Sequence, residues 1–218
     1  MIEELLPDAA IAVEAFADGD EAGLFPQERE LVGRAVAKRR REFTTGRQCA
    51  HSALERLGVP AGPIASGERG EPLWPDGVVG SITHCDGYRA CAVGRTAELL
   101  TIGVDAEPHA PLPEGLLADV AGAGERRMLA ELSAATPAIH WDRLLFSAKE
   151  SVYKAWFPLA GRWLGFEDAE LEIDARGRSF EARLLVPGPL VAGVGLGGFA
   201  GRWLVRDGLV LTAIALEP

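Results

Sequence analysis

The chain has 218 residues, of which 48% are hydrophobic and 25% are charged, and its formal net charge is −10. This composition can bury a core in one or two domains, which excludes an intrinsically disordered or fibrous protein. The acidic charge excludes nucleic acid as a bulk partner, because such binding depends on basic side chains that neutralise phosphates.

The sequence predicts a protein of a reducing compartment. No apolar run reaches the roughly 18 residues that a membrane helix requires. The first seven residues are acidic and lack the basic segment that opens a secretory signal. Cys49, Cys85 and Cys91 are an odd number of cysteines in a chain too long to need disulfides. We therefore expect a cytoplasmic protein without a membrane partner.

The first half of the chain indicates a strand, a long helical region and three short strands. Alternating residues predict a strand at 11–16, and helix-forming residues dominate from Pro26 to Leu57, with a predicted interruption at residues 44–46. Recurring glycine and proline predict an irregular loop over residues 58–77. Strand-like segments follow at residues 78–84, 88–93 and 100–105.

The second half repeats this order loosely. After a proline-containing linker at residues 109–113, helices are predicted at residues 114–134 and 141–157. Strand-like segments follow at residues 169–174, 179–186, 202–206 and 209–216. Helices combined with antiparallel-looking strands in both halves predict an α+β fold with two paired subdomains, residues 1–108 and 109–218.

A basic cluster interrupts the acidic composition of the first half. Within 14 positions that contain a single acid, Glu42, lie Arg34, Lys38, Arg39, Arg40, Arg41 and Arg47. Such a cluster favours a discrete anionic ligand, and a solvated helix face is the alternative interpretation. On an uninterrupted helix Arg40 shares a face with Arg47, seven residues later, whereas Arg39 points about 80° away.

Acidic residues in the middle of the chain are candidate metal ligands. Asp105 and Glu107 are two apart in a strand-like segment, which places both carboxylates on one face. Such a pair suits Mg²⁺, which also takes water and phosphate oxygens, although two solvated acids are the alternative. Glu150 and Lys154 are i,i+4 neighbours on a predicted helix, either as a surface ion pair or as a carboxylate beside a phosphate-binding ammonium.

Four ordered segments carry a family resemblance. They are Arg39–Arg47, Arg69–His84, Ile102–Pro108 and Phe146–Lys154, with an extension to Asp168. In this order they resemble the successive motifs of the 4′-phosphopantetheinyl transferases, in particular the Sfp-type enzymes of the enterobactin-synthetase-component-D-like branch. The resemblance implies two similar, pseudo-symmetric α/β subdomains with the active site in the cleft between them.

The resemblance also implies a reaction. The phosphopantetheine of coenzyme A is transferred to a serine hydroxyl of an apo acyl or peptidyl carrier protein, and adenosine 3′,5′-bisphosphate is released. Magnesium is the implied cofactor and coenzyme A the co-substrate. The sequence leaves open whether the carrier serves fatty-acid, polyketide, nonribosomal-peptide or siderophore synthesis. A monomer is expected, because the implied architecture completes the site within one chain.

The resemblance implies roles for the acidic residues and one lysine. Asp105, Glu107 and Glu150 would hold Mg²⁺ against the pyrophosphate. Glu150 would also accept the proton of the attacking serine, directly or through water. Lys154 would contact the phosphate under attack and stabilise its transition state.

The resemblance implies a second group that binds the anionic parts of coenzyme A. Its members are His84, Thr83, Arg39, Arg40, Arg47 and Arg69. His84 with Thr83 would bind the 3′-phosphate, and the arginines the remaining anionic groups, where guanidinium matches phosphate geometry. The motif favours Arg39, and helix geometry favours Arg40. Some Sfp-type members carry a lysine where this chain has Glu71, so Arg69 is the expected cation there.

Other functions stay open on the sequence. A catalytically inactive module that binds coenzyme A or a carrier protein would not need the metal carboxylates. A metal-dependent nucleotide hydrolase would release phosphopantetheine to water rather than to protein. Four aromatic residues are candidates either for carrier contacts or for the core of the cleft: Tyr153, Trp156, Phe157 and Trp163.

Overall fold

The computed structural model describes residues 1–218 as a mixed α+β fold. The helices are α1 (Pro26–Val32), α2 (Ala37–Arg56), α3 (Leu116–Val120), α4 (Ala123–Ala135) and α5 (Trp141–Ala160). The strands are β1 (Ala10–Ala15), β2 (Ala65–Ser66), β3 (Pro72–Leu73), β4 (Val78–Cys85), β5 (Tyr88–Arg95), β6 (Thr101–Pro108), β7 (Ala169–Asp174), β8 (Ser179–Leu184), β9 (Leu190–Val191), β10 (Val194–Gly195), β11 (Gly198–Arg206) and β12 (Leu209–Leu216). None of the helices combines the length and the apolarity needed to cross a bilayer.

Two antiparallel sheets form the two halves of the fold. The first has the strand order β1-β5-β4, and the second has the order β6-β12-β11-β8-β7. Helix α2 packs on the first sheet, and α5 packs across β6 and β12 of the second. The unit β1-α2-β4-β5 therefore recurs as β6-α5-β11-β12. This arrangement confirms the predicted α+β class.

Strand β6 connects the two halves. The division predicted at residues 108/109 assigns it to the first half, but its ladder partner is β12 of the second sheet. Its other edge packs beside β4 of the first sheet. Divided by hydrogen-bonded sheets, the chain separates between Arg95 and Thr101.

The helical region of the first half breaks at a place that the sequence did not predict. It ends at Val32 and resumes at Ala37, while α2 runs without interruption through residues 44–46. Thr45 stays helical because its hydroxyl donates to Arg41 O and accepts from Gly19 N. Gly46 packs closely against Ile82 of β4, where a larger residue would be crowded. Tertiary contacts thus override the weak helix propensity of this segment.

Smaller differences from the prediction concern where elements begin and end and two short hairpins. The helix predicted over residues 114–134 is two helices, because Gly122 caps a separate α4. The strand predicted at residues 202–206 begins at Gly198. The irregular loop at residues 58–77 contains the two-residue strands β2 and β3, and the equally short β9 and β10 form an unforeseen hairpin.

Gly103 allows β6 to lie directly on α5. A Cβ at this position would overlap Ser151 O and Ala155 N on the helix. On either side of the glycine, the hydroxyl of Thr101 donates to Ala155 O at 2.8 Å and Lys154 Nζ donates to Val104 O at 3.0 Å. This close approach places the carboxylates of β6 within reach of the polar residues of α5.

Gly103→Ala is therefore expected to destabilise the fold by about 3 kcal/mol, since overpacking of a rigid contact costs about 1–3 kcal/mol and sometimes more. For a chain of this length the corresponding fall in Tm is about 6–12 °C. Thermal unfolding measures it. Gly62→Ala is the matched control, because nothing lies within 4 Å of a Cβ at Gly62. Equal Tm values for the two variants would contradict the close approach.

Side-chain hydroxyls join β4 to β6. Val104 N donates to Ser81 Oγ at 3.1 Å, and Ala106 N donates to Thr83 Oγ1 at 3.0 Å. Both hydroxyl residues are buried. We call these two contacts the hydroxyl seam. The seam satisfies two backbone N–H groups on the edge of β6 that does not pair with β12.

Candidate active site

Helix α5 brings two of the predicted residues to the junction of the halves. Its buried side follows helical spacing through Leu145, Ala148 and Val152. Glu150 and Lys154, one turn apart, project towards β6. Lys154 Nζ donates to Asp105 Oδ1 at 2.7 Å, so the lysine of the second half's helix meets the carboxylate of β6.

Asp105 is the most enclosed of the three predicted carboxylates, at 5% exposed. Its Oδ1 accepts from Lys154 and also from the hydroxyl of Thr83, at 3.3 Å. Its Oδ2 is buried and has no hydrogen-bond partner. A buried carboxylate oxygen without a donor is unfavourable unless a ligand satisfies it, so Oδ2 marks a ligand position.

Glu107 is held by a residue that the sequence did not single out. Arg143, in the first turn of α5, donates to Glu107 Oε2 at 2.7 Å. The same guanidinium donates to Ala110 O and Pro111 O. Arg143 therefore fixes both Glu107 and the linker that follows β6. Only the fold shows this contact, because 36 residues separate the partners.

The three carboxylates repel one another. Burial and then the charge of Asp105 raise the pKa of Glu107, although Arg143 opposes this. Burial and then Asp105 also raise the pKa of Glu150, with Glu107 adding to the effect and Lys154 opposing it. Mutually repelling acids beside an unpartnered oxygen are a donor set that fits a hard divalent cation.

The three acids do not converge into a three-ligand metal cluster in this structure. Arg143 engages one oxygen of Glu107, and Lys154 engages one oxygen of Asp105. This geometry still fits Mg²⁺, which binds through a few carboxylates and completes its coordination with water and phosphate oxygens.

His84 and Arg39 lie together at the end of β4. Arg39 Nη1 is 2.9 Å from His84 Nε2, and Glu42 Oε2 is 3.7 Å from His84 Nδ1. Burial lowers the pKa of His84; Arg39 and Lys154 lower it further, and Glu42 opposes them. A neutral imidazole can accept the hydrogen bond from Arg39. Arg39 supplies the positive charge of the pair, and His84 adds a second when its imidazole is protonated.

The other predicted anion-binding residues lie in different surroundings. Arg40 pairs with Glu21, with Nη2 to Oε2 at 2.6 Å, and so is already neutralised within the chain. Arg47 is 4% exposed and donates through Nη2 to Ser66 Oγ at 3.1 Å. Arg69 is exposed, and its guanidinium lies 5.8 Å from the centre of the Phe157 ring.

The continuous α2 therefore separates Arg39 from Arg40. Arg39 points towards His84, while Arg40 points towards the acidic segment before α1. Only Nη2 of Arg47 donates hydrogen bonds to protein, and its buried Nε lies 3.9 Å from the buried Glu28 Oε1 without a hydrogen bond.

A cavity of about 130 Å³ adjoins Glu150. Its apolar lining comes from α5 and the segment after it: Val152, Tyr153, Trp163, Leu164, Phe166 and Ala169. Tyr153 and Trp163 have ring centroids 4.9 Å apart, and Trp163 is 63% exposed. Trp156, by contrast, is fully buried and belongs to the core.

Lys149 precedes Glu150 in the chain but serves the fold. Its Nζ lies 2.9 Å from Glu125 Oε1 and donates to Phe166 O and Ala169 O. Lysine and glutamate are each 3% exposed at the side chain. No local pattern predicts this pair, because 24 residues separate its members.

The fold and the cleft agree with the matches to known families. Residues 27–94 match the 4′-phosphopantetheinyl transferase N-terminal domain, and residues 101–190 match the 4′-phosphopantetheinyl transferase superfamily. The chain belongs to the 4′-phosphopantetheinyl transferase superfamily and is an enzyme of that class.

Individual relatives narrow the comparison. The chain is 56% identical to the 4′-phosphopantetheinyl transferase Svp of Streptomyces mobaraensis, over 99% of this chain and 89% of the relative. It is 49% identical to the 4′-phosphopantetheinyl transferase PptT of Mycobacterium tuberculosis, over 99% and 98%. Enterobactin synthase component D of Salmonella typhi is 38% identical over 56% of this chain and 50% of the relative. The branch named from the motifs is thus a more distant relative than the first two.

Proposed function

We propose that the cleft between β4, β6 and α5 transfers 4′-phosphopantetheine from coenzyme A to a serine of an apo carrier protein, with Asp105 at its centre. The main support for this site is the hydrogen bonding of the Asp105 carboxylate. Lys154 and Thr83 hold its Oδ1, while its buried Oδ2 has no partner. The two neighbouring acids with raised pKa values fit a shared cation at this place.

Asp105, Glu107 and Glu150 are the proposed Mg²⁺ ligands. When bound, Mg²⁺ neutralises the charge of the pyrophosphate and of the leaving bisphosphate. Arg143 leaves Glu107 Oε1 available, since it engages Oε2. The fixed position of β6 on α5 keeps the acids of the two elements in one place before substrate arrives, which reduces reorganisation during the reaction.

The chain's own residues account for the proton and the charge. The serine Oγ of the carrier forms a bond to the phosphorus that bears pantetheine, and the bond to adenosine 3′,5′-bisphosphate breaks. Glu150, whose pKa is raised, accepts the serine proton directly or through water. Lys154 donates hydrogen bonds to the phosphoryl oxygens, where negative charge is stabilised by a fixed ammonium.

Coenzyme A is proposed to lie with its 3′-phosphate at Arg39 and His84. The two groups lie 2.9 Å apart, so one phosphate can contact both. Arg39 supplies a positive charge, and a bound phosphate dianion favours the protonated form of His84, which supplies a second. Arg47 and Arg69 are proposed to contact its other anionic groups, Arg47 through Nη1, which none of its hydrogen bonds to protein uses. The apolar cavity beside Glu150 suits the uncharged pantetheine chain. Action in the cytoplasm as a monomer stays a prediction.

The direct test is the intact mass of an apo carrier protein after incubation with this enzyme, coenzyme A and Mg²⁺. We expect a gain of one phosphopantetheine that is lost when EDTA replaces Mg²⁺, because the phosphoryl charge is then not neutralised. Addition of Mg²⁺ in excess of EDTA should restore it. Full transfer in EDTA would contradict the metal site, and release of free phosphopantetheine without a mass gain would indicate hydrolysis.

His84→Ala is expected to raise the KM for coenzyme A by about 10-fold or more, since hydrogen bonds to charged groups contribute about 1.5–3 kcal/mol. The KM for 3′-dephospho-coenzyme A should change little, because that molecule lacks the phosphate that His84 contacts. Steady-state kinetics with both substrates measure the difference. Arg34→Ala is the control for truncation of an exposed polar side chain outside the cleft. An equal rise in KM for both substrates would show that His84 does not contact the 3′-phosphate.

The same residue predicts a pH dependence. The lowered pKa leaves His84 neutral near pH 7 in the free enzyme, and an imidazolium binds phosphate better than an imidazole. The KM for coenzyme A should therefore fall as pH falls from about 8 to about 6 in the wild type. The slope should be smaller in His84→Ala.

A further inference from the structure

The hydroxyl of Thr83 occupies a place between Asp105 and the backbone of β6. It accepts a hydrogen bond from Ala106 N at 3.0 Å and donates to Asp105 Oδ1 at 3.3 Å. Thr83 is 2% exposed, so no solvent competes for these contacts. One hydroxyl thus holds both the carboxylate of Asp105 and the peptide that follows it.

This use of the hydroxyl leaves it unsuited to a phosphate. A threonine hydroxyl has one proton to donate, and that proton is directed at Asp105. Phosphate oxygens need donors, which Arg39 and His84 supply at the outer end of β4. Thr83 therefore lies in the 3′-phosphate motif by sequence but serves Asp105 by geometry.

Two donors on one oxygen also fix the rotation of the Asp105 carboxylate. Lys154 Nζ and Thr83 Oγ1 both engage Oδ1. The carboxylate cannot turn without losing both contacts, so Oδ2 stays the unpartnered oxygen. Orienting partners of this kind commonly set the affinity of a metal site, and their loss typically costs about 10–100-fold.

We propose that Thr83 is a positioning residue that turns Asp105 Oδ2 towards the divalent cation, and that it does not bind the 3′-phosphate of coenzyme A. This proposal rests on the proposed metal site.

Ser81 offers a matched control on the same strand. Its hydroxyl accepts from Val104 N at 3.1 Å, as that of Thr83 accepts from Ala106 N, but it has no contact with Asp105. Thr83→Val and Ser81→Ala each remove one bond of the hydroxyl seam and leave one backbone N–H unpaired. We expect both to lower Tm by a similar few degrees. Only Thr83→Val also removes the donor to the carboxylate.

The test is calorimetric titration of Mg²⁺ into the enzyme saturated with coenzyme A, for the wild type and the variants. Thr83→Val should lower the affinity for Mg²⁺ by about 10-fold or more. Ser81→Ala should keep the wild-type affinity, and Thr83→Ser should restore it. Thr83→Ala takes the place of Thr83→Val if the valine variant does not fold. In kinetics, kcat at fixed Mg²⁺ should fall while the preference for coenzyme A over its 3′-dephospho analogue is unchanged.

Three outcomes would overturn the proposal. One is unchanged Mg²⁺ affinity with a lost preference for the 3′-phosphate, which would assign the hydroxyl to the phosphate. Another is an equal loss of Mg²⁺ affinity in Ser81→Ala, which would make the effect a general loosening of the seam. The third is unchanged Mg²⁺ affinity and preference in Thr83→Val. If the wild type itself binds no Mg²⁺, the proposed metal site fails, and the role of Thr83 fails with it.

Discussion

Glu150→Gln is expected to lower the transfer rate by at least about 100-fold and to raise the stability of the metal-free enzyme. The loss of activity follows because glutamine neither accepts a proton nor supplies an anionic ligand, and a positioned base alone contributes about 10²–10⁴-fold. The gain in stability follows from repulsion, since burial and the charge of Asp105 raise the pKa of Glu150. An uncharged isostere removes that repulsion.

The raised pKa fixes the sign of the pH dependence. The folded protein binds the Glu150 proton more tightly than the unfolded chain does, where the pKa is near 4.5. Its contribution to stability is complete below that pH and is lost as pH rises through the higher folded pKa. Between these values, the stability of the wild type should decline relative to that of Glu150→Gln.

Thermal unfolding with and without Mg²⁺, beside single-turnover transfer, measures both effects. We expect a Mg²⁺-induced rise in Tm in the wild type that is reduced in the variant. Glu167→Gln, an acidic residue after α5 that makes no contact with the three acids, is the control for charge. A Tm of Glu150→Gln well below that of the wild type would show that Glu150 supports the fold rather than the chemistry.

Lys149→Met, in contrast to Glu150→Gln, is expected to destabilise the fold, with a loss of about 3–5 kcal/mol in the free energy of unfolding. The substitution leaves the carboxylate of Glu125 buried and without its cation. It also removes the donor to Phe166 O and Ala169 O, which lie at the entry to β7. Urea denaturation measures the loss. Glu125→Gln in the same chain should recover part of it, because the unpaired charge is then absent.

Lys154→Met provides the comparison on the same helix. Lys154 is 25% exposed at the side chain against 3% for Lys149, so its removal should cost less stability. Its loss should nonetheless abolish most transfer, because it faces Asp105 and the proposed phosphate position. Two lysines five residues apart are thus expected to separate folding from catalysis. Similar stability losses in both would contradict this assignment.

The sequence predicted the elements that local pattern controls. The strand pair around Asp86 and Gly87 and the amphipathic α5 were predicted nearly at their observed bounds, because alternation and helical spacing are local properties. The helix interruption predicted at residues 44–46 was wrong, because the contacts of Thr45 and Gly46 with distant segments keep α2 intact. The sequence also did not predict that β6 belongs to the second sheet, because local pattern does not show which strand pairs with which.

In the candidate site, too, the residues within local motifs were predicted and their long-range contacts were not. Asp105, Glu150 and Lys154 were chosen from their motifs, and the fold brings Asp105 and Lys154 into contact. Arg143, which holds Glu107, was not predicted, because nothing in the sequence pattern marks it. Thr83 was predicted as a phosphate contact, and only the fold shows that its hydroxyl donates to Asp105. The choice between Arg39 and Arg40 needed the course of α2, which alone shows which arginine faces His84.

The exposed turn at residues 96–98 joins β5 to β6, and it is the only covalent link between the first sheet and the strand that carries Asp105. A chain cut there would yield one fragment with Arg39 and His84 and another with the acids and Lys154. Each fragment would hold half of the chemistry, and they meet at β4 and β6 through side chains rather than a ladder. Turnover would then report fragment association, which makes this turn the natural place to build a split reporter from the enzyme.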